Sequence, residues 1–109
     1  VDENDVPLCL KPQWENHPHS YVKLWKHHGA QKQADLINHI LDENGIANDP
    51  RFGGKISSEL MIPKILETFQ QDRELYEAAF AFTEAGDWLT KTLTGSAKRS
   101  CSMAGYKAW

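Results

Sequence analysis

Residues 31–45 read QKQADLINHILDENG. Ala34, Ile37, Ile40 and Leu41 recur at spacings of three and four, the period of one face of an α-helix, and Lys32, Asp35 and Asp42 fall on its solvent side. Asn44-Gly45 then supplies a left-handed stop. The segment is a structural amphipathic helix, and it sets the class of the chain as helix-rich.

Downstream, Ile46 to Lys55 carries Asn-Asp-Pro and Gly53-Gly54 and reads as a loop. The glycine pair invites a phosphate-loop reading, but Lys55 is followed by Ile56 rather than Ser or Thr, so that pattern fails. Ser57-Ser58 predicts an N-cap, with Met61, Ile62, Ile65, Leu66 and Phe69 as the apolar stripe of a second helix. Pro63 requires that helix to kink there or to start nearby. Asp72 predicts the cap of a short helix from Arg73 to about Ala79, and Thr83 that of another, in which Ala85, Trp88, Leu89 and Leu93 share a side and Gly95 closes the end. Ser96 to Trp109 is rich in small and hydroxyl residues and reads as loop or short strand.

Upstream, Ser20-Tyr21-Val22-Lys23-Leu24-Trp25-Lys26-His27-His28 mixes apolar residues and an indole with cationic or titratable side chains. That mixture is a poor core strand and a good pocket wall, because an indole can stack on a sugar face while polar neighbours bond its hydroxyls. Composition alone favours the core for Trp25. Lys11 to His19 is a loop by its prolines, and Val1 to Leu10 predicts a small hairpin or an edge strand containing Pro7. Four histidines lie between residues 17 and 28, but no carboxylate or thiolate accompanies them at a metal-binding spacing.

Composition bounds the rest. The 109 residues, 40% apolar and 25% charged with a net charge of −3, fit one small folded unit. Lys and Arg form no basic stripe, so nucleic acid is not expected. No apolar run approaches the roughly 20 residues that span a bilayer, so no membrane segment is expected and the cytoplasm is the default setting. Cys9 and Cys101 match no metal spacing and are expected to be reduced thiols. The chain opens at Val1 without Met and closes on an aromatic-rich stretch, which suggests a piece of something longer. Neither a nucleophile with its base nor a working carboxylate pair stands out.

The order of segments then carries further than the residues taken singly. Trp25 behind an apolar pair, a long helix, Gly53-Gly54 with Lys55-Ile56-Ser57-Ser58, a second helix, then Asp87-Trp88-Leu89 and Leu93-Thr94-Gly95 resemble the N-terminal domain of the FGGY carbohydrate kinases. Lys11 to His28 and Ala104 to Ala108 are similar to the bacillus-type L-ribulokinase branch of that family.

The resemblance implies an actin-like, ribonuclease-H-like α/β ATPase fold of two lobes with sugar and ATP meeting between them. Residues 1–109 would form a single partial domain within the first, sugar-binding lobe, mainly α with short β segments. The family's phosphate-binding hairpin would precede Val1, and its catalytic aspartate and nucleotide-binding segments would follow Trp109. No catalytic residue and no metal ligand is therefore expected here, and the piece should be inactive alone. Carried over by position, Trp25 flanks the sugar and Lys107 reaches its hydroxyls. His27 stands where many members have Asp, and so is only a candidate for the pocket wall.

The implied parent activity is transfer of phosphate from ATP to L-ribulose, giving L-ribulose 5-phosphate in arabinose catabolism. ATP and Mg²⁺ would serve the parent rather than this piece. The partners implied are the sugar, L-ribulose or a related ketopentose or pentitol, and the remainder of the kinase chain, with a homo-oligomer of the parent left open. The alternatives are another kinase of the family, such as a xylulokinase, and a non-catalytic helical interaction module.

Overall fold

The computed structural model describes residues 1–48, 50 and 53–107, leaving aside the side chains of Tyr106 and Lys107. Among them, three short 3-10 turns at Leu8–Leu10, Pro12–Trp14 and Pro18–Ser20 precede five α-helices. These are α1 (Gln31–Glu43), α2 (Met61–Gln71), α3 (Arg73–Ala78), α4 (Ala85–Thr94) and α5 (Cys101–Lys107).

The helix boundaries follow local chemistry. Gly45, at φ 65°, lies just past the end of α1, and Gly95, at φ 69°, closes α4 by donating its N–H to the Lys91 carbonyl at 2.8 Å. Asp72 caps α3, its carboxylate accepting the Leu75 N–H at 3.2 Å. Pro63 falls in the first turn of α2, where its missing N–H has no partner to lose. Two expected caps are displaced. Ser57 Oγ accepts the Glu59 N–H at 3.2 Å within the preceding turn, so α2 begins behind Leu60 instead. Glu84, not Thr83, occupies the cap position of α4.

The expected short β segments are not formed: among the described residues there is no strand. In place of a hairpin, residues 1–6 close around the buried Asp2 carboxylate, whose Oδ1 accepts the N–H groups of Asn4 (2.8 Å) and Val6 (2.9 Å). That oxygen takes up amides a second strand would have needed, and Pro7 then leads into a 3-10 turn. The tail is likewise helical over Cys101–Lys107 rather than loop or strand. Cys101, Ser102 and Gly105 have weak helix propensity, and contacts at the start of the helix decide: Ser100 donates its N–H to Asp87 of α4 at 2.9 Å, and its Oγ accepts the Met103 N–H at 3.3 Å.

The centre is α2, packed against α1 on one side and α3 on the other. Ala30 and Ala34 are fully buried and allow close approach of α1, while Gln33 Nε2 donates to Gln70 Oε1 at 2.8 Å across the interface. The first residues stitch α4 on, through Trp88 Nε1 donating to the Asp5 carbonyl at 2.8 Å and an ion pair between Lys91 and Asp5. The Val1 carbonyl accepts the Phe80 N–H at 3.0 Å.

The inward face of α2 is not its apolar stripe. Pro63, Lys64, Glu67 and Thr68 are buried, whereas Ile62 is exposed and Ile65 and Leu66 are only partly covered. A helix that turns two charged residues inward must have partners for them, and these come from the segment just before α1.

Candidate functional site: the Trp25 turn

His27 donates its N–H to the Leu24 carbonyl at 3.0 Å, which puts Trp25 and Lys26 at the two central positions of a tight turn. Both ends of that turn are tied to α2. Lys64 Nζ donates to the same Leu24 carbonyl at 3.1 Å, and His27 Nε2 donates to Glu67 at 2.9 Å from Oε2 and 3.2 Å from Oε1. Just before the turn, Lys23 Nζ lies 2.5 Å from Glu67 Oε2 and also donates to His19 Nδ1 at 2.8 Å. Glu67 is only 3% exposed, while Trp25 is 53% exposed. An accessible indole thus sits on a turn fastened from below by buried charges.

Gly29 completes the arrangement. A Cβ there would collide with Glu67 Oε1 and lie 2.7 Å from His27 Nε2, so only hydrogen fits between the turn and the carboxylate.

The electrostatics are mutual. Burial works to raise the Glu67 carboxyl, but the hydrogen bonds and charges of Lys23 and His27 outweigh it and hold the carboxyl below its ordinary range. Burial pulls the Lys23 ammonium below its ordinary value against the opposing attraction of Glu67. His19 is also lowered, first by burial and then by the neighbouring Lys23 charge, which suits a neutral ring accepting a hydrogen bond from the ammonium.

The histidines do not converge. His17 pairs with Asp72 at 2.8 Å, His19 with Lys23, His27 with Glu67, and His28 lies 3.5 Å from Ser58 Oγ. Among the described residues no three His, Cys, Asp or Glu side chains gather as a metal site. Cys9 and Cys101 are free thiols. No described helix is long and apolar enough to cross a membrane.

A cavity of about 380 Å³ opens beside α2, walled by Leu8, Val22, Met61, Ile65, Phe82 and Trp88 among others. From α2, Met61 and Ile65 line it beside Lys64 and Thr68, and its mostly apolar walls suit a packed side chain better than a sugar's hydroxyls. Trp25 is not among the described residues lining it.

Of the residues singled out from sequence, Trp25 is presented on the turn, and His27 stands beside it with its ring held by Glu67. Lys107 closes α5, which is docked on α4, and its side chain lies outside the described residues. Lys64, Glu67 and Gly29 were not legible as site residues. Their partners lie some 40 positions away or, for Gly29, show only as a steric limit.

The chain is 46% identical over 108 residues to a ribulokinase of Bacillus licheniformis, a match covering 99% of this chain and 20% of that one. It is 50% identical over 108 residues to a ribulokinase of Shouchella clausii, covering 99% of this chain and 19% of that one. Over the stretch it spans, the chain matches the ribulokinases. A ribulokinase of Mycolicibacterium smegmatis, 45% identical over 103 residues, extends the match beyond the bacilli and covers 94% of this chain and 18% of that one. The chain therefore spans about a fifth of the length of the curated ribulokinases it matches. No protein-family model matches it.

Proposed function

We propose that this segment forms one wall of the sugar site of an L-ribulokinase, a cytoplasmic enzyme that phosphorylates L-ribulose with ATP to L-ribulose 5-phosphate. The observation that carries the reading is the match along nearly the whole chain to ribulokinases of several bacteria, with identities of 43–50%. The half-exposed indole of Trp25 on a fastened turn supports its use as a flat apolar platform for the pentose. Lys107 supplies an ammonium with three donors to the hydroxyls, and His27 borders the platform. The fold of the whole is then the two-lobed actin-like kinase fold of the FGGY family, with this helical stretch inside the sugar-binding lobe.

In the whole kinase, ATP supplies the phosphoryl group and Mg²⁺ balances phosphate charge. On this reading the catalytic base and the nucleotide contacts belong to other parts of the kinase. The contribution of this segment is position: a sugar held at a fixed angle has its reactive hydroxyl already oriented. Leu10, Val22, Phe80 and Leu93, each at least 70% exposed, become packing surface for the remainder of the kinase.

The test is steady-state kinetics of the full-length kinase with L-ribulose, D-xylulose and a pentitol. L-Ribulose should have the highest kcat/KM, and Lys107→Ala should lower that value at least tenfold, about the worth of a hydrogen bond to a charged group. A preference for xylulose, or an unaltered Lys107→Ala enzyme, contradicts the proposal.

A further inference from the structure

Two side chains of α2, Lys64 and Glu67, tie the two ends of the Trp25 turn. We infer that Lys64 and Glu67 are positioning residues for the sugar site, fixing the Trp25 indole in its substrate-facing orientation without touching the substrate. The inference rests on the reading of Trp25 as sugar platform and deepens it.

The geometry is that of a clamp. Lys64 and Glu67 are three residues apart on α2, one helical turn, so both project to the same face. Lys64 holds the carbonyl that opens the turn, at 3.1 Å, and Glu67 holds the ring of the residue that closes it, at 2.9 Å. Glu67 also holds Lys23, immediately before the turn, at 2.5 Å, and Lys23 Nζ in return donates to the Lys64 carbonyl at 3.4 Å. Gly29, immediately after His28, leaves room for the carboxylate. The turn is thereby fastened before, within and behind the indole.

The energetics say why this is more than packing. Lys64 is 9% and Glu67 3% exposed, and taking such charges out of water carries a penalty that an apolar pair of similar size would avoid. What charged partners provide and apolar ones do not is directional geometry: each contact fixes an angle as well as a distance. The element so fixed is a turn whose indole is half exposed. An unfastened turn would sample several indole orientations, and sugar binding would then be weakened by the fraction of time spent in the wrong ones.

The experiment uses the full-length kinase that carries this segment, with Glu67→Gln, Lys64→Met, Trp25→Ala and the Glu67→Gln/Trp25→Ala pair. KM for L-ribulose, KM for ATP, kcat and thermal midpoint are measured for each. The inference predicts that Glu67→Gln and Lys64→Met each raise the sugar KM roughly tenfold, the loss of one charge-assisted hydrogen bond, with the ATP KM unchanged. It also predicts that Glu67→Gln adds less than about twofold once Trp25 is already Ala, because the two act through one platform. A merely structural role would lower the thermal midpoint and the active fraction while leaving the sugar KM within twofold, and that result overturns the inference. So does a full tenfold effect that persists in the Trp25→Ala background. If Glu67→Gln fails to fold, Lys64→Met, which keeps the carboxylate and its two partners, decides by the same criteria. A sugar KM unaltered by Trp25→Ala itself refutes the platform reading instead.

Discussion

Gly29→Ala should destabilise the protein although alanine is the smallest side chain that could be added. The new Cβ would collide with Glu67 Oε1 and stand 2.7 Å and 2.8 Å from His27 Nε2 and Cε1. Comfortable carbon contacts lie at roughly 3.5–4.0 Å, so the neighbours must retreat by about 1 Å. Both obstacles are side-chain tips, which ordinarily swing aside at little cost. Here they cannot do so freely, because the two oxygens of Glu67 belong to one rigid carboxylate whose other oxygen is 2.5 Å from Lys23 Nζ. Moving it weakens a buried charge-assisted bond, a loss of about 1.5–3 kcal/mol. Against this stands a gain of about 0.4–1 kcal/mol from restricting the unfolded chain. The net expectation is a loss of roughly 1–2 kcal/mol, read by thermal unfolding as about 4–8 °C for each kcal/mol in a domain of this size. In a Glu67→Ala background, where one obstacle is gone and the His27 ring is released to swing aside, the same substitution should be neutral or stabilising. A Gly29→Ala protein as stable as the original, or an equal loss in both backgrounds, refutes the reasoning.

Three other outcomes follow from the contacts. Asp72→Ala removes both the α3 cap and the His17 pair and should cost about 1–2 kcal/mol in denaturant unfolding, whereas Asp72→Asn keeps the cap and should lose less. Trp88→Phe deletes the hydrogen bond to the Asp5 carbonyl and leaves a half-buried acceptor short of a partner, for about 1 kcal/mol; amide exchange should then quicken in residues 2–6. Stability should fall on acidification in two stages. His19 has a lowered pKa, so its contribution is present above the ordinary histidine value of 6.5 and declines as pH drops through its folded value. Glu67, also lowered, adds a contribution present above 4.5 that is lost at lower pH. Urea midpoints between pH 8 and pH 3 check this, and a midpoint that rises on acidification is inconsistent with it.

Local signals made most of the helices legible. Spacing found α1, Asn44-Gly45 and Gly95 marked ends, and Asp72 marked the start of α3, because each of these acts within one turn of chain. The site was legible only in part. Trp25 could be singled out by its mixed surroundings and by family resemblance, but an apolar stripe on α2 implied that Ile62 and Leu66 face inward, when Lys64 and Glu67 do. Their partners, Lys23, Leu24 and His27, are 40 to 44 residues away, a distance across which periodicity carries no information. The same holds for α5, whose small residues are drawn into a helix by Asp87 at a separation of 13. The expected strands failed for the opposite reason: one buried side chain, Asp2, captured the amides locally.

The central claim is that L-ribulose rests against Trp25, and contact with that one indole can be observed directly. Full-length kinase labelled with 5-fluorotryptophan, with the Trp25 resonance assigned by Trp25→Phe, is titrated with L-ribulose in the absence of ATP. The account predicts that the Trp25 fluorine signal shifts and saturates over the same concentrations that saturate the enzyme's activity. A Trp25 signal that stays in place at saturating sugar contradicts it.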